Sequence, residues 1–243
     1  MLSVVGKYFM FIGSLFINRE RPVVYVKRIV DECILIGTDS VFIVTIVSLF
    51  IGAVSGLQTA HNLISPMVPL YTVGVIVRDM TILELAPTIT CIVLAGKVGS
   101  NIAGGLGTMR ITEQVDAMDV MGINSASYLV LPKIVAAMLT FPMLVTMAGF
   151  LSLFGGYLST VLTGLLSGHD YVYGIRYQFL EYNIFVAIVK SIVFAYLISS
   201  VSSFMGYYTK GGALEVGQSS TIAVTNSCIA VLLADYFIAE LLF

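Results

Sequence analysis

The chain has 243 residues, 58% of them hydrophobic and only 11% charged, with a net charge of −2 and a mean hydropathy of +0.99. Soluble domains carry about 25% charge, so a soluble globular domain is excluded, and the slight negative balance argues against a nucleic-acid partner. The apolar runs are long and unbroken rather than roughly ten-residue alternating strands, which excludes a membrane barrel and predicts an all-α integral membrane protein forming one transmembrane domain over 1–243.

Met1 to Ile17 is apolar but carries Lys7 and runs into Asn18-Arg19-Glu20-Arg21-Pro22. No small-residue cleavage site follows, so an uncleaved interfacial helix is expected. From Val23 to Thr38 the charges Lys27, Arg28, Asp31 and Glu32 alternate with Val26, Ile29, Val30 and Ile34. This amphipathic stretch is expected to lie on the inner surface, which makes about 1–38 an interfacial segment.

Crossing ~30 Å of hydrocarbon takes about 20 helical residues. Five transmembrane helices are expected at about 40–59, 83–106, 136–162, 184–207 and 221–242. The third sits in a long apolar run and includes Pro142, which predicts one tilted span reaching beyond the membrane. Met67 to Val77 is open between an outer helical turn and a short re-entrant piece, because Pro66 and Pro69 argue against a full span. With the N-terminus inside, Lys7, Arg19, Arg21, Lys27, Arg28, Arg110, Lys133 and Lys210 fall on cytoplasmic segments, leaving Arg78 and Arg176 in outer loops. That bias predicts a cytoplasmic N-terminus and, after five spans, an outer C-terminus.

Between spans two and three lies a polar stretch, Thr112 to Met121, expected to form a cytoplasmic coupling helix. Membrane-surface helices favour Lys and Arg, whereas this one is acidic and carries Met and Val. Glu113, Gln114, Asp116, Met118 and Asp119 are therefore expected to meet a soluble protein. Within span two, Ala95, Gly99, Ala103 and Gly107 recur every four residues, and Ser191, Ala195, Ser199 and Ser203 do so in span four. Such small residues let helices approach closely. They serve packing inside one chain or a seam between two copies.

Intramembrane charge is costly and needs a partner or water. Glu84 starts span two, Lys190 lies early in span four and Asp235 late in span five, all toward the outer leaflet in this topology. A pairing of Lys190 with Glu84 or Asp235 is expected, either as a structural ion pair or as part of a substrate path. Lys97 lies deeper toward the cytoplasmic side and is expected to be structural. Gly96-Lys97 does not make a phosphate loop, because Cys91 stands where the first glycine belongs and Val98 where Ser or Thr belongs. His61 and His169 are read as solvated loop residues, and Cys33, Cys91 and Cys228 have no metal or disulfide spacing. No catalytic constellation or metal site is expected in this chain.

These residues resemble the MlaE-type permeases of ABC transporters that work with MCE proteins. The resemblance rests on Glu84-Leu-Ala-Pro87, Leu94-Ala-Gly-Lys-Val-Gly-Ser100, Gly107-Thr-Met-Arg-Ile-Thr-Glu-Gln114, Asp116-Ala117-Met118, Met121-Gly122, Tyr128-Leu-Val and Pro132-Lys133. Phe50-Ile-Gly52, Gly56-Leu-Gln58, Lys190-Ser-Ile-Val-Phe-Ala195, Gly206-Tyr207, Gly211-Gly212-Ala213, Glu215-Val-Gly217 and Ala234-Asp235 extend it over nearly the whole chain. It implies a homodimer in the bacterial inner membrane, with the C-terminus in the periplasm. A pair of cytoplasmic ABC ATPases would dock on the coupling helix and bind the ATP, so that no cofactor sits in this chain. An MCE protein would cover the outer face, and phospholipid would be the cargo. It also implies functional charges at Glu84, Lys190 and Asp235. Leu83 stands where family members often have Arg, and Lys97 where Arg is commoner. The alternative is a stand-alone proton-coupled transporter of a hydrophobic substrate using Glu84 and Asp235, although such proteins usually show inverted repeats and none is visible. A membrane-bound lipid enzyme is a further alternative, and it lacks the polar constellation it would need.

Overall fold

The computed structural model describes residues 2–15, 22–63 and 69–242. All its elements are helices: α1 (Leu2–Ser14), α2 (Val24–Asn62), α3 (Tyr71–Ile111), α4 (Gln114–Val120), α5 (Ser125–Leu162), α6 (Gly168–Arg176), α7 (Glu181–Tyr207) and α8 (Ala213–Leu242). Five of them, α2, α3, α5, α7 and α8, are long and apolar enough to cross a membrane.

Several boundaries differ from those expected, for identifiable reasons. The amphipathic stretch up to Thr38 is continuous with the first span, so that α2 runs for 39 residues. The expected break is instead a π-helical turn, Ile34–Thr38, in which Gly37 lies against the Thr140 side chain. Span two begins at Tyr71 rather than near 83. The part of the Met67–Val77 stretch from Tyr71 onward is its first turns, while Met67 and Val68 lie outside the described residues. Pro87 does not end it, because the surrounding Thr81–Ile89 segment is π-helical. His61 and Arg78 lie on helices rather than in loops, and α6, which carries His169, arises from a segment read as loop. A capping signal precedes α6: Ser167 Oγ accepts from the Asp170 amide at 3.1 Å and donates to Asp170 Oδ2 at 2.7 Å. Likewise α8 starts ahead of the expected 221, where Gly211 takes φ +115° and Glu215 Oε2 accepts from the Gly212 amide at 2.8 Å.

The chain divides into two compact units, one of Met1–Ser40, Ile92–Phe141 and Ile192–Leu241, the other of Val41–Cys91 and Pro142–Ser191 with the last two residues. In the first unit the small residues of α3 let helices close in. A Cβ on Gly99 would meet Ser202 Oγ at 2.8 Å, one on Gly107 would meet Val216 at 3.1 Å, and one on Gly206 would crowd Ala103. Polar side chains tie this unit together as well: Tyr25 Oη to Ser127 Oγ at 2.8 Å, Lys133 to Glu32 at 2.5 Å, and Ser125 Oγ to Tyr207 Oη at 2.8 Å.

In the second unit α2 and α5 touch backbone to backbone. A Cβ on Gly52 would collide with the Ser152 carbonyl, and one on Gly155 with that of Leu49. Gly74 of α3 and Gly174 of α6 press together in the same way. Tyr171 fills the space beside Ala60, Val73, Val77 and Leu166. Its hydroxyl donates to the Leu153 carbonyl at 3.2 Å, and burial pushes its phenol well above the usual range.

Candidate functional site

Pro87 has no N–H, so in α geometry the carbonyl four residues earlier, that of Leu83, would lose its partner. The local answer is the π segment Thr81–Ile89, and a side chain from another helix also reaches that carbonyl. Lys190 of α7 sends its Nζ to Leu83 O at 3.0 Å and to Glu84 Oε1 at 3.0 Å. The pair is lopsided: the Lys190 side chain is 0% exposed, whereas that of Glu84 is 52% exposed. The cation is locked into the protein and the carboxylate looks outward. A group that reaches Glu84 from outside the chain therefore meets a negative charge already held by a buried positive one.

Beside this pair lies an open cleft of about 540 Å³. Its walls include Phe50, Val54, Met80 and Leu85, the residue after Glu84, and its polar groups come from Ser55, Gln58, Thr59 and Asn62. Apolar walls with a few polar groups at one side suit an amphiphile better than a sugar or an ion.

Comparison with known proteins decides what kind of chain this is. Residues 29–241 match the family model described as Permease MlaE. The chain belongs to the MlaE permease family. A protein of Rickettsia bellii (strain RML369-C) named "Probable ABC transporter permease protein" is 36% identical over 240 residues, which is 98% of this chain and 92% of the relative. A Synechocystis relative, "Probable ABC transporter permease protein slr1045", is 30% identical over 235 residues, 97% of this chain and 89% of its own length. "Protein TRIGALACTOSYLDIACYLGLYCEROL 1, chloroplastic" of Arabidopsis thaliana is 37% identical over 169 residues, 66% of this chain and 46% of the relative. The chain is thus a multi-pass permease subunit of the ABC-transporter type.

The remaining expected site residues of this MlaE permease fall in the first unit. Asp235 lies in the latter part of α8, half-buried. Lys97 sits in a second π segment of α3, Ala95–Gly99, and donates to the Asp39 carbonyl at the end of the π turn in α2. Ala95, Gly99, Ala103 and Gly107 are all buried against the chain's own helices.

Helix α4 is set off by two left-handed residues, Glu113 at φ 60° before it and Gly122 at φ 80° after it. Glycine adopts that conformation freely; a glutamate does so at a cost of about 1–3 kcal/mol. Val115 is fully buried and pins α4 to its unit, and Met118 is half-buried. Val120 at 89% and Met121 at 67% stand out from it, beside exposed Glu113, Gln114, Asp116 and Asp119. Asp116 is braced by Arg110 Nη1 at 2.6 Å. The Asp119 carboxylate lies 3.4 Å from the Ser125 amide, at the start of α5.

Arg78 is a functional-looking residue that sequence reasoning put in a loop. It is 2% exposed, and its Nε donates to Asp79 Oδ1 at 2.9 Å. Its Nη1 donates to the carbonyls of Ile175 at 3.0 Å and Tyr177 at 2.6 Å. The signal available in the sequence was the apolar run Val73 to Val77 directly before it.

Proposed function

We propose that this chain is the membrane-spanning half of a dimeric lipid transporter of a bacterial inner membrane, with its N-terminus cytoplasmic and its C-terminus periplasmic. Phospholipid enters the cleft between Phe50 and Leu85, its tails against the apolar wall and its head group toward Ser55, Gln58 and Asn62. Glu84, backed by Lys190, meets the polar part of the lipid, and Asp235 of α8 is a further functional charge. A separate pair of ABC ATPases binds ATP and docks on α4, where Val120 and Met121 supply an apolar plug between acidic residues. An MCE protein takes the lipid on the outer face. This chain performs no bond chemistry; it supplies a path.

The observation that carries the reading is the half-exposed carboxylate fixed by a fully buried lysine next to an apolar cleft. The name of the Arabidopsis relative, which contains that of a glycerolipid, points the same way. Native mass spectrometry of the complex in mild detergent is expected to show two copies of this chain with ATPase subunits and bound phospholipid. Lipid transfer by a Glu84→Gln variant is expected to fall while the complex persists. A strictly monomeric, lipid-free particle that still transports would overturn the proposal.

A further inference from the structure

A second cavity in the second unit, of about 240 Å³, is lined by Ile82, Ala86, Val145, Gly149, Phe150 and Phe179 among others. Its polar members are Arg78, Thr146 and Ser191, and each is already committed inside the chain. Arg78 is held by Asp79 and two carbonyls, Thr146 Oγ1 donates to Pro142 O at 2.7 Å, and Ser191 Oγ donates to Ile188 O at 2.7 Å. A water needs two to four polar partners to settle in a cavity, and an apolar cavity of about 150 Å³ already takes up benzene. This one is larger, and it offers water little. Left empty, its walls would forgo dispersion contacts on one side.

Phe150 and Phe179 at its margin are themselves exposed. In a chain with five membrane-crossing helices, the medium at such a margin is acyl chain. We propose that this groove is a resident-lipid site that holds one acyl tail of a bilayer phospholipid between α3, α5 and α7, with the fixed Arg78 guanidinium closing one end. The tail gains little from leaving other tails, since lipid is as apolar as the groove. Its preference comes from filling a void that the side chains cannot close. Such a lipid is a structural component, and the assignment stands whatever the chain transports.

The chain has no tryptophan, so one introduced indole reports alone. Phe150→Trp places it at the groove, and Phe42→Trp places it on an exposed apolar position of α2 outside the groove. Both full-length variants, purified without partner proteins, go into phosphatidylcholine vesicles holding a rising fraction of dibrominated phosphatidylcholine. A tail held in the groove lies against the indole, whereas the control meets only passing tails, so the Phe150→Trp signal is expected to be more deeply quenched than the control at every brominated fraction. Filling the groove with Gly149→Leu, or with Thr146→Phe if that variant does not fold, should bring the two reporters together. Identical quenching of both reporters without any filling substitution overturns the proposal. So does a difference that survives the filling. Absence of quenching at Phe150→Trp also overturns it, since another protein segment then occupies the groove.

Discussion

The asymmetry of the Glu84–Lys190 pair fixes an order of stabilities. At 3.0 Å and an effective dielectric near 20, the gross attraction is about 5 kcal/mol. Losing one partner of a buried pair costs about 3–5 kcal/mol when the other is left buried and charged. Only Lys190 is in that position, because Glu84 is half-exposed and its share must be discounted for screening. Replacing Glu84 with Leu takes from the buried ammonium the carboxylate 3.0 Å away and should cost about 2–3 kcal/mol. Glu84→Gln keeps an acceptor oxygen at the same place and should cost about 1 kcal/mol. Lys190→Met removes the buried charge itself with a side chain of similar length and gives up the hydrogen bond to the Leu83 carbonyl, so its cost should stay at about 1 kcal/mol, below that of Glu84→Leu. The measurement is thermal or denaturant unfolding of the purified chain in one detergent, with the double variant Glu84→Leu/Lys190→Met closing the cycle. The double variant should recover most of the loss seen in Glu84→Leu alone. Should Lys190→Met prove as damaging as Glu84→Leu, the picture of a buried cation held by an outward carboxylate is wrong.

At the α2–α5 contact, Gly52→Ala drives a Cβ into the Ser152 carbonyl and should cost about 1–3 kcal/mol. Gly217→Ala in α8, where a Cβ meets nothing within 4 Å, should instead stabilise by about 0.5–1 kcal/mol; equal effects in unfolding melts would contradict the close approach. Reversing Glu113 and Asp116 to Lys, or Val120 and Met121 to Asp, should release the ATPase on size exclusion while the permease elutes unchanged. Retention of the complex with normal ATP turnover would count against docking on α4. Ser167→Ala removes the cap of α6 and should cost about 1 kcal/mol, read as a lower melting temperature.

Hydrophobic runs were enough to read five spans, because lipid leaves a crossing chain few choices but helix. The acidic connector was legible for a similar reason: Glu113 to Asp119 interrupts apolar sequence and has nowhere to be but outside it. Boundaries were harder. Pro87 falls close to the expected start of span two at 83, and its accommodation by a wider turn depends on tertiary partners that no local pattern encodes. A pairing of Lys190 with Glu84 or Asp235 was expected from cost alone, yet the lopsided exposure of the Glu84–Lys190 pair depends on how α3 and α7 pack. Arg78 was misplaced because span two was expected to begin near 83, while the carbonyls of Ile175 and Tyr177 at the end of α6 supply what water would. Ser167 and Asp170 carried a readable cap that was passed over beneath the glycines around them.

The π turns of α2 and α3 have a consequence for how such a chain can change in length. Each accommodates one residue more than an α-turn would, with the surplus absorbed locally as a bulge. Within Ile34–Thr38 or Ala95–Gly99, loss of a single residue would let the ladder close into regular α geometry. The register of everything beyond would shift by no more than the bulge already allows. Elsewhere in the same helices a deletion would rotate the following residues by about 100° and carry buried positions to the outside. These short wide turns are therefore the places where insertions and deletions between relatives can accumulate inside a membrane span, a region where gaps are otherwise hard to tolerate.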